Sequence, residues 1–234
     1  MQGHADFTPP LPSETAARAE LVPEPLPPLF LGGTAVVLGG GPSLTLADVA
    51  LVHAWSLRAG SECGAIAINS AWLAAPWARV LVGCDLKWWT WPHGRLALRA
   101  FGGLMVSQDA RVKAGLDGRV HWVESTGVAG YDDDPRFLRT GRNGGYQATH
   151  MAAQMGARRI VLLGLDMSHD GAGRTHWHDG HPLPPPPEVY RTLMLEHWPS
   201  LAAALAARGV EVINATPGGL LEAFPRRPLR EALA

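Results

Sequence analysis

Short apolar runs, spaced by stretches of helical periodicity, set the rhythm of this chain. Residues 35–38 form a β-branched apolar run, and similar runs recur at 64–68, 79–83, 104–107, 119–123, 160–163 and 210–213. Runs this short, bounded by glycine, asparagine or aspartate, predict buried strands. Leu46, Val49, Val52, His53 and Leu57 share a helical spacing and predict a helix over 46–59. A second helix is predicted over 146–155, closed by Gly156. A third, over 188–207, carries Val189, Leu193, Leu195, Trp198, Leu201 and Leu205 on its apolar side, with a bend at Pro199. Strands alternating with helices imply an α/β, Rossmann-like fold with a mainly parallel sheet flanked by helices. No internal repeat is visible.

Three stretches break this rhythm. Residues 1–31 are proline-rich (Pro9, Pro10, Pro12, Pro23, Pro25, Pro27, Pro28). They read as an arm wrapping the surface ahead of a single domain over 32–234, with one short helix at 14–21. Residues 127–142 read as a polar loop with an acidic triplet, Asp132 to Asp134. Residues 168–187 are too polar, and at 182–187 too rich in proline, to fold alone; a loop of that length is expected to have a function.

Composition narrows the class. At 234 residues with 47% hydrophobic and 18% charged positions, the chain fits one soluble globular domain. A net charge of −1 gives no general attraction to nucleic acid or anionic membrane. Cys63 and Cys84, both in apolar surroundings, read as buried thiols of a reducing compartment. No apolar run is long enough for a bilayer, and no charged-then-apolar leader pattern opens the chain, so a cytoplasmic protein is expected. Self-association into a homo-oligomer stays open.

The candidate chemistry gathers at strand ends. After the first strand come Gly39, Gly40, Gly41, Pro42 and Ser43, read as a glycine turn into a helix whose free N–H groups suit a phosphate. This is neither a P-loop nor a G-x-G-x-x-G fingerprint. Asn69 and Asp85 follow the second and third strands, and Asp166 follows the strand at 160–163. Ligands bind beyond the carboxyl ends of parallel strands. Asn143, Gly144 and Gly145 supply a second glycine-rich helix start, and both turns are expected to meet around a nucleotide-sized ligand. Trp88, Trp89 and Trp91 read as a packing cluster, the alternative being an aromatic wall against a base or sugar, with Lys87 near phosphate. The acidic triplet reads as a solvated loop or cap, with metal binding the minor alternative. His176, His178 and His181, with His169, Asp170 and Asp179, make the loop at 168–187 a lid or a source of acid/base groups, a metal site, or mere surface.

With both glycine stretches read, a resemblance can be stated. Gly39-Gly-Gly-Pro-Ser43, Asn69, Asp85, Asn143-Gly-Gly145, the strand ending at Asp166 and Ile213-Asn-Ala-Thr216 resemble a family of Rossmann-like proteins. That family includes phage-encoded members, archaeal 6-hydroxymethylpterin diphosphokinase-like enzymes and motility-associated glycosylation proteins. The first motif is also similar to the Gly-x-Gly-Pro-Ser of bacterial CMP-sialic-acid sialyltransferases. The resemblance spans roughly residues 34–225 through short motifs. It implies a nucleotide held across a crevice by Gly39, Gly41 and Ser43, then Asn69, then Gly144 and Gly145. Two positions depart from the sialyltransferases: Gly40 where they carry Asn, and Asn-Gly-Gly where they carry Ser-Gly.

The expected function is a nucleotide-dependent transferase, a glycosyltransferase-like enzyme with a nucleotide-sugar donor and an acceptor not read from sequence. A loop histidine (His176, His178 or His181) would be the base, with its pKa near working pH. Asp85 and Asp166 would orient ribose or hold Mg or Mn. A diphosphokinase moving diphosphate from ATP to a hydroxymethyl acceptor, and a non-catalytic nucleotide-binding module such as a phage accessory protein, are the alternatives.

Overall fold

The computed structural model describes residues 10–179, 181 and 185–234. Pro9 of the arm, and Gly180 and residues 182–184 of the histidine-bearing loop, lie outside the described residues.

The apolar runs become strands β1 (Thr34–Leu38), β2 (Gly64–Ile68), β3 (Val80–Val82), β4 (Leu104–Ser107) and β5 (His121–Trp122). β6 (Glu124–Gly127) and β7 (Phe137–Arg139) form a separate parallel pair, with β6 ending where the region read as loop begins and β7 inside it. β8 (Arg159–Leu163) and β9 (Glu211–Asn214) rejoin the main sheet. Its order is β5-β4-β3-β2-β1-β8-β9, all parallel. β1 is central, with Val36 opposite Ala65 of β2 on one side and Val161 of β8 on the other. This is a single-domain α/β Rossmann-like fold.

Helices cover both faces. Alternation along β1 sends Val36 and Leu38 to one face, and Ala35 and Val37 to the other. The first face packs on α2 (Leu46–Ser56), α3 (Leu86–Trp89), α4 (Pro92–Ala100) and α9 (Leu229–Ala232), with a 3₁₀ turn at Asn69–Leu73. The second packs on α6 (Gly144–Gln154) and α8 (Trp198–Ala207), where Met151, Trp198 and Leu201 are buried. In the arm, α1 (Glu14–Glu20) lies on α5 (Ala110–Gly115), with Ala17 buried near Ala110 and Trp122. Phe30 is fully buried and its N–H donates to the Met155 carbonyl at 2.9 Å.

Four expectations are corrected. The helix over 188–207 is broken into α7 (Pro187–Val189), a π turn at Tyr190–Met194, and α8. Pro199 does not bend a helix: it sits in the first turn of α8, where its missing N–H costs nothing. Pro42 and Ser43, read as the first turn and cap of the next helix, belong to the glycine turn itself, because that helix starts at Leu46 as its spacing predicts, with Thr45 Oγ1 accepting from the Asp48 N–H. The strand over 119–123 shrinks to β5, because the chain diverts into β6.

Candidate functional site

β1 leads into α2 on one face of the sheet, whereas β8 leads toward α8 on the other. Chain connections that leave neighbouring strands in opposite directions open a crevice between their carboxyl ends. A crevice of roughly 340 Å³ opens there. It gathers Gly39, Gly40, Gly41, Asn69, Asp85, Asn143, Gly144, Gly145, Asp166, His176, His178 and His181. Ser43, the remaining candidate, is not among the lining residues, and its Oγ donates to Asp166 Oδ2 at 2.9 Å.

The glycine turn works differently from its expected role. The Gly39 N–H donates to the Leu163 carbonyl and the Gly41 N–H to the Gly164 carbonyl, both at 2.8 Å. These two amides are therefore committed to the exit of β8 and are not free donors for a phosphate. The two glycines lack side chains for the same reason. A Cβ on Gly41 would stand 1.9 Å from Asp166 Oδ2, and one on Gly39 would stand 2.3 Å from the Gly164 carbonyl oxygen. Gly40 is the open member: a methyl there would meet only His176 Cδ2, at 3.6 Å.

Free donors come from α6. Asn143 caps it, its Oδ1 accepting from the Tyr146 N–H at 3.1 Å, while the Gln147 N–H reaches the Asn143 carbonyl. The N–H groups of Gly144 and Gly145, first in the helix, have no acceptor within it. Glycine lets this end press inward: a Cβ at 144 would lie 3.2 Å from Ile68, and one at 145 would lie 2.8 Å from Leu165. Arg142 stands just before the cap, exposed at the crevice, and no partner of its guanidinium is found among the described residues. Helix amides, the positive end of the dipole and a cation together make an anion site.

Backbone strain marks the same place. Among the described residues, the non-glycine residues with left-handed φ are Asn69 (47°), Arg142 (53°) and Met167 (52°), and all of them line the crevice. Such conformations cost roughly 1–3 kcal/mol each and cluster at functional sites. Asn69 Oδ1 is buried with no donor among the described residues. Asp166 is 5% exposed, and burial raises its pKa against the opposing Ser43 hydrogen bond. Asp85 heads α3 without a capping bond from its side chain. Though the residue as a whole is exposed, enclosure of its carboxyl and then the Asp109 charge raise its pKa.

The histidine loop closes one side. The Trp177 N–H donates to the Gly40 carbonyl at 3.2 Å. The His176 and His181 rings stack at 3.8 Å, and His178 lies 5.8 Å from His176. Burial, then the neighbouring imidazoles, push His176 down to about 3, so it is neutral at physiological pH and not the tuned base expected. His178 Nδ1 donates to the Asp179 carbonyl at 2.8 Å, which leaves Nε2 as the lone-pair nitrogen of the neutral ring. Among the described residues, no three His, Cys, Asp or Glu side chains are grouped to hold a metal ion.

His93 and Arg142 escaped the sequence reading. His93 Nδ1 lies 2.9 Å from Ser70 Oγ, which also accepts from Trp88 Nε1–H at 3.2 Å, and its ring is 5.3 Å from His178. The signal for it was Pro92 at the start of a helix, which sets His93 in a first turn beside the strand exits. Trp88 and Trp89 are buried packing residues, whereas Trp91 is half-buried on a second cavity of about 450 Å³ that adjoins the crevice. The acidic triplet is structural: Asp133 pairs with Arg208 and Asp134 with Arg136, each at 2.6 Å, while Asp132 accepts from Thr126 at 2.6 Å. No helix among the described residues is long and apolar enough to cross a membrane.

The parallel sheet and its switch-point crevice define the chain as a Rossmann-like α/β protein. It is similar in fold to the MAf glycosyltransferase from Magnetospirillum magneticum AMB-1, with a TM-score of 0.58 and 13% identity. The match takes in 86% of this chain but 34% of the other, so this chain spans about a third of that protein's length. At that identity the likeness is one of fold, and it agrees at that level with the resemblance to motility-associated glycosylation proteins. The sequence matches no protein-family model and no curated protein.

Proposed function

We propose that the protein is a nucleotide-dependent transferase, glycosyltransferase-like, that takes a sugar from a nucleotide-sugar donor. The observation that carries this reading is the open amino end of α6, with Arg142, in one crevice with Asn69, Asp85 and Asp166. The Gly144 and Gly145 amides and Arg142 receive the donor phosphate and stabilise the charge it acquires as its bond to the sugar breaks. Asn69 Oδ1 accepts from a base amine or ribose hydroxyl, and Asp166, held by Ser43, orients the ribose. Asp85 and Asp166 are oxygen donors of the kind Mg or Mn takes. His178 is the base toward the acceptor hydroxyl, with the neutral His176 ring and the His181 ring stacked on it as wall. The fold likeness to a protein described as a glycosyltransferase supports group transfer at this crevice.

Calorimetry on metal-stripped protein with CMP, UDP, GDP, ADP and ATP, each with and without Mg or Mn, tests the reading. Preference for a cytidine or uridine nucleotide supports sugar transfer. Mg-dependent ATP preference moves the assignment to diphosphate transfer, which the two carboxylates at one crevice favour as the second reading. Tight binding without turnover marks an accessory nucleotide-binding protein, and no binding refutes the crevice as a nucleotide site.

A further inference from the structure

The second cavity shares Asn69, Asp85 and His181 with the crevice and is otherwise lined by different residues. It lies past the carboxyl ends of β3 and β4, where Asp85 heads α3 and Asp109 caps α5. Leu86, Trp88 and Trp91 are its apolar lining, and Trp91 is only half-buried. Its polar lining is balanced, with the carboxylates Asp85 and Asp109 against the cations Lys87 and Arg111. Arg111 is fixed by Asp109 at 2.6 Å and by Glu14 of the arm at 3.0 Å, whereas exposed Lys87 has no partner among the described residues.

We propose that this cavity is the acceptor site and that the acceptor is a neutral saccharide packed on Trp91. The inference rests on the transferase reading above. An indole surface covers the C–H face of a sugar ring, and surrounding carboxylates and cations bond its hydroxyls. The balanced charge offers no net attraction to an anionic or a cationic acceptor. A ring seated on Trp91 presents a hydroxyl at the Asp85 wall, where the two cavities meet. One cavity thus holds the donor and its neighbour the acceptor.

The test is saturation-transfer NMR and calorimetry with a panel of neutral mono- and disaccharides, run beside nucleotide titrations of the same samples. The wild type is expected to bind at least one panel member in the millimolar range. Trp91→Ala weakens that binding by about tenfold or more, and Lys87→Ala by about threefold, with nucleotide affinity unchanged in both. Lys87 is exposed, so its variant keeps the test decisive if Trp91→Ala does not fold. Two results overturn the proposal: no saccharide binding to the wild type, or binding unaffected by the folded variants. Saccharide binding at Trp91 without any nucleotide binding would leave the cavity assignment standing and refute the donor site.

Discussion

Gly40 and Gly41 are neighbours of identical chemistry, and the structure assigns opposite outcomes to the same substitution at each. Neither has a left-handed φ, so alanine meets no backbone penalty at either position. At Gly41 the new Cβ meets Asp166 Oδ2 at 1.9 Å and the Gly164 carbonyl oxygen at 2.7 Å. The carbonyl belongs to the β8 exit and the carboxylate is buried, so neither withdraws freely. Overpacking of this kind costs roughly 1–3 kcal/mol. Displacing the carboxylate also breaks its 2.9 Å bond from Ser43, a hydrogen bond to a charged group worth roughly 1.5–3 kcal/mol. The two costs overlap, because moving the carboxylate relieves part of the clash, and together they come to about 3 kcal/mol. For a chain of this size each kcal/mol lowers Tm by roughly 2–4 °C, so Gly41→Ala is expected to melt about 6–12 °C below wild type. At Gly40 the nearest atom is 3.6 Å away, an ordinary contact, so Gly40→Ala stays within about 0.5 kcal/mol. Its methyl instead narrows the crevice and weakens nucleotide binding. Parallel thermal melts followed by circular dichroism read the first effect, and calorimetry reads the second. Equal melting temperatures for the two variants, or a larger loss at Gly40, would refute the account of the turn.

Other expectations follow from the same geometry. Arg142→Gly removes a crevice cation but relieves its left-handed backbone. Nucleotide affinity should fall about tenfold, with Tm unchanged or raised; a fall in Tm would show that the arginine serves the fold instead. Asp166→Asn should raise Tm at neutral pH while weakening ligand binding, because burial lifts the carboxyl pKa and the charged form is penalised in the fold. The gain should shrink as pH falls below the raised pKa and the wild type itself takes up the proton; a gain that persists in acid contradicts this cause. His150 and His176 both sit at about 3, each chiefly through burial. Their contribution to stability is complete above the unfolded value near 6.5 and is lost as pH falls toward 3. Imidazole NMR signals of these two residues should therefore not titrate above pH ~5, and titration near the ordinary value would show them to be solvated.

Much of the scaffold was legible from apolar runs alone, because strands buried on both faces lack polar positions. The β2 and β4 bounds coincide with their runs for that reason. Short helices were not legible: α3 and α4 hold Trp88, Trp89 and Ala97 inside by tertiary packing, without a stripe long enough to show periodicity. β7 was hidden because its pairing partner β6 lies outside the main sheet. That the candidate residues share one crevice is legible because strand ends announce themselves with glycine, asparagine and aspartate. Their division of labour is not. Whether Gly41 faces a ligand or Asp166 depends on how closely β8 approaches β1, a distance that no local pattern encodes. Arg142 is not legible in the sequence, because an exposed arginine in a polar loop resembles any other until its φ is known.

The position of β1 also bears on how the chain comes off the ribosome. Its partner on one edge, β2, follows closely, with Ala35 opposite Gly64, but the partner on its other edge places Ile160 opposite the same residue. During synthesis β1 to β5 can assemble while the second edge of β1 stays bare until β8 emerges. An uncovered apolar edge strand is a template for association with other chains, and pairings this distant in sequence form slowly. The Leu163 and Gly164 carbonyls that hold Gly39 and Gly41 arrive only with β8. The crevice is therefore among the last features to form, and chains that stall before residue 159 would expose the edge of β1 to chaperones or to one another.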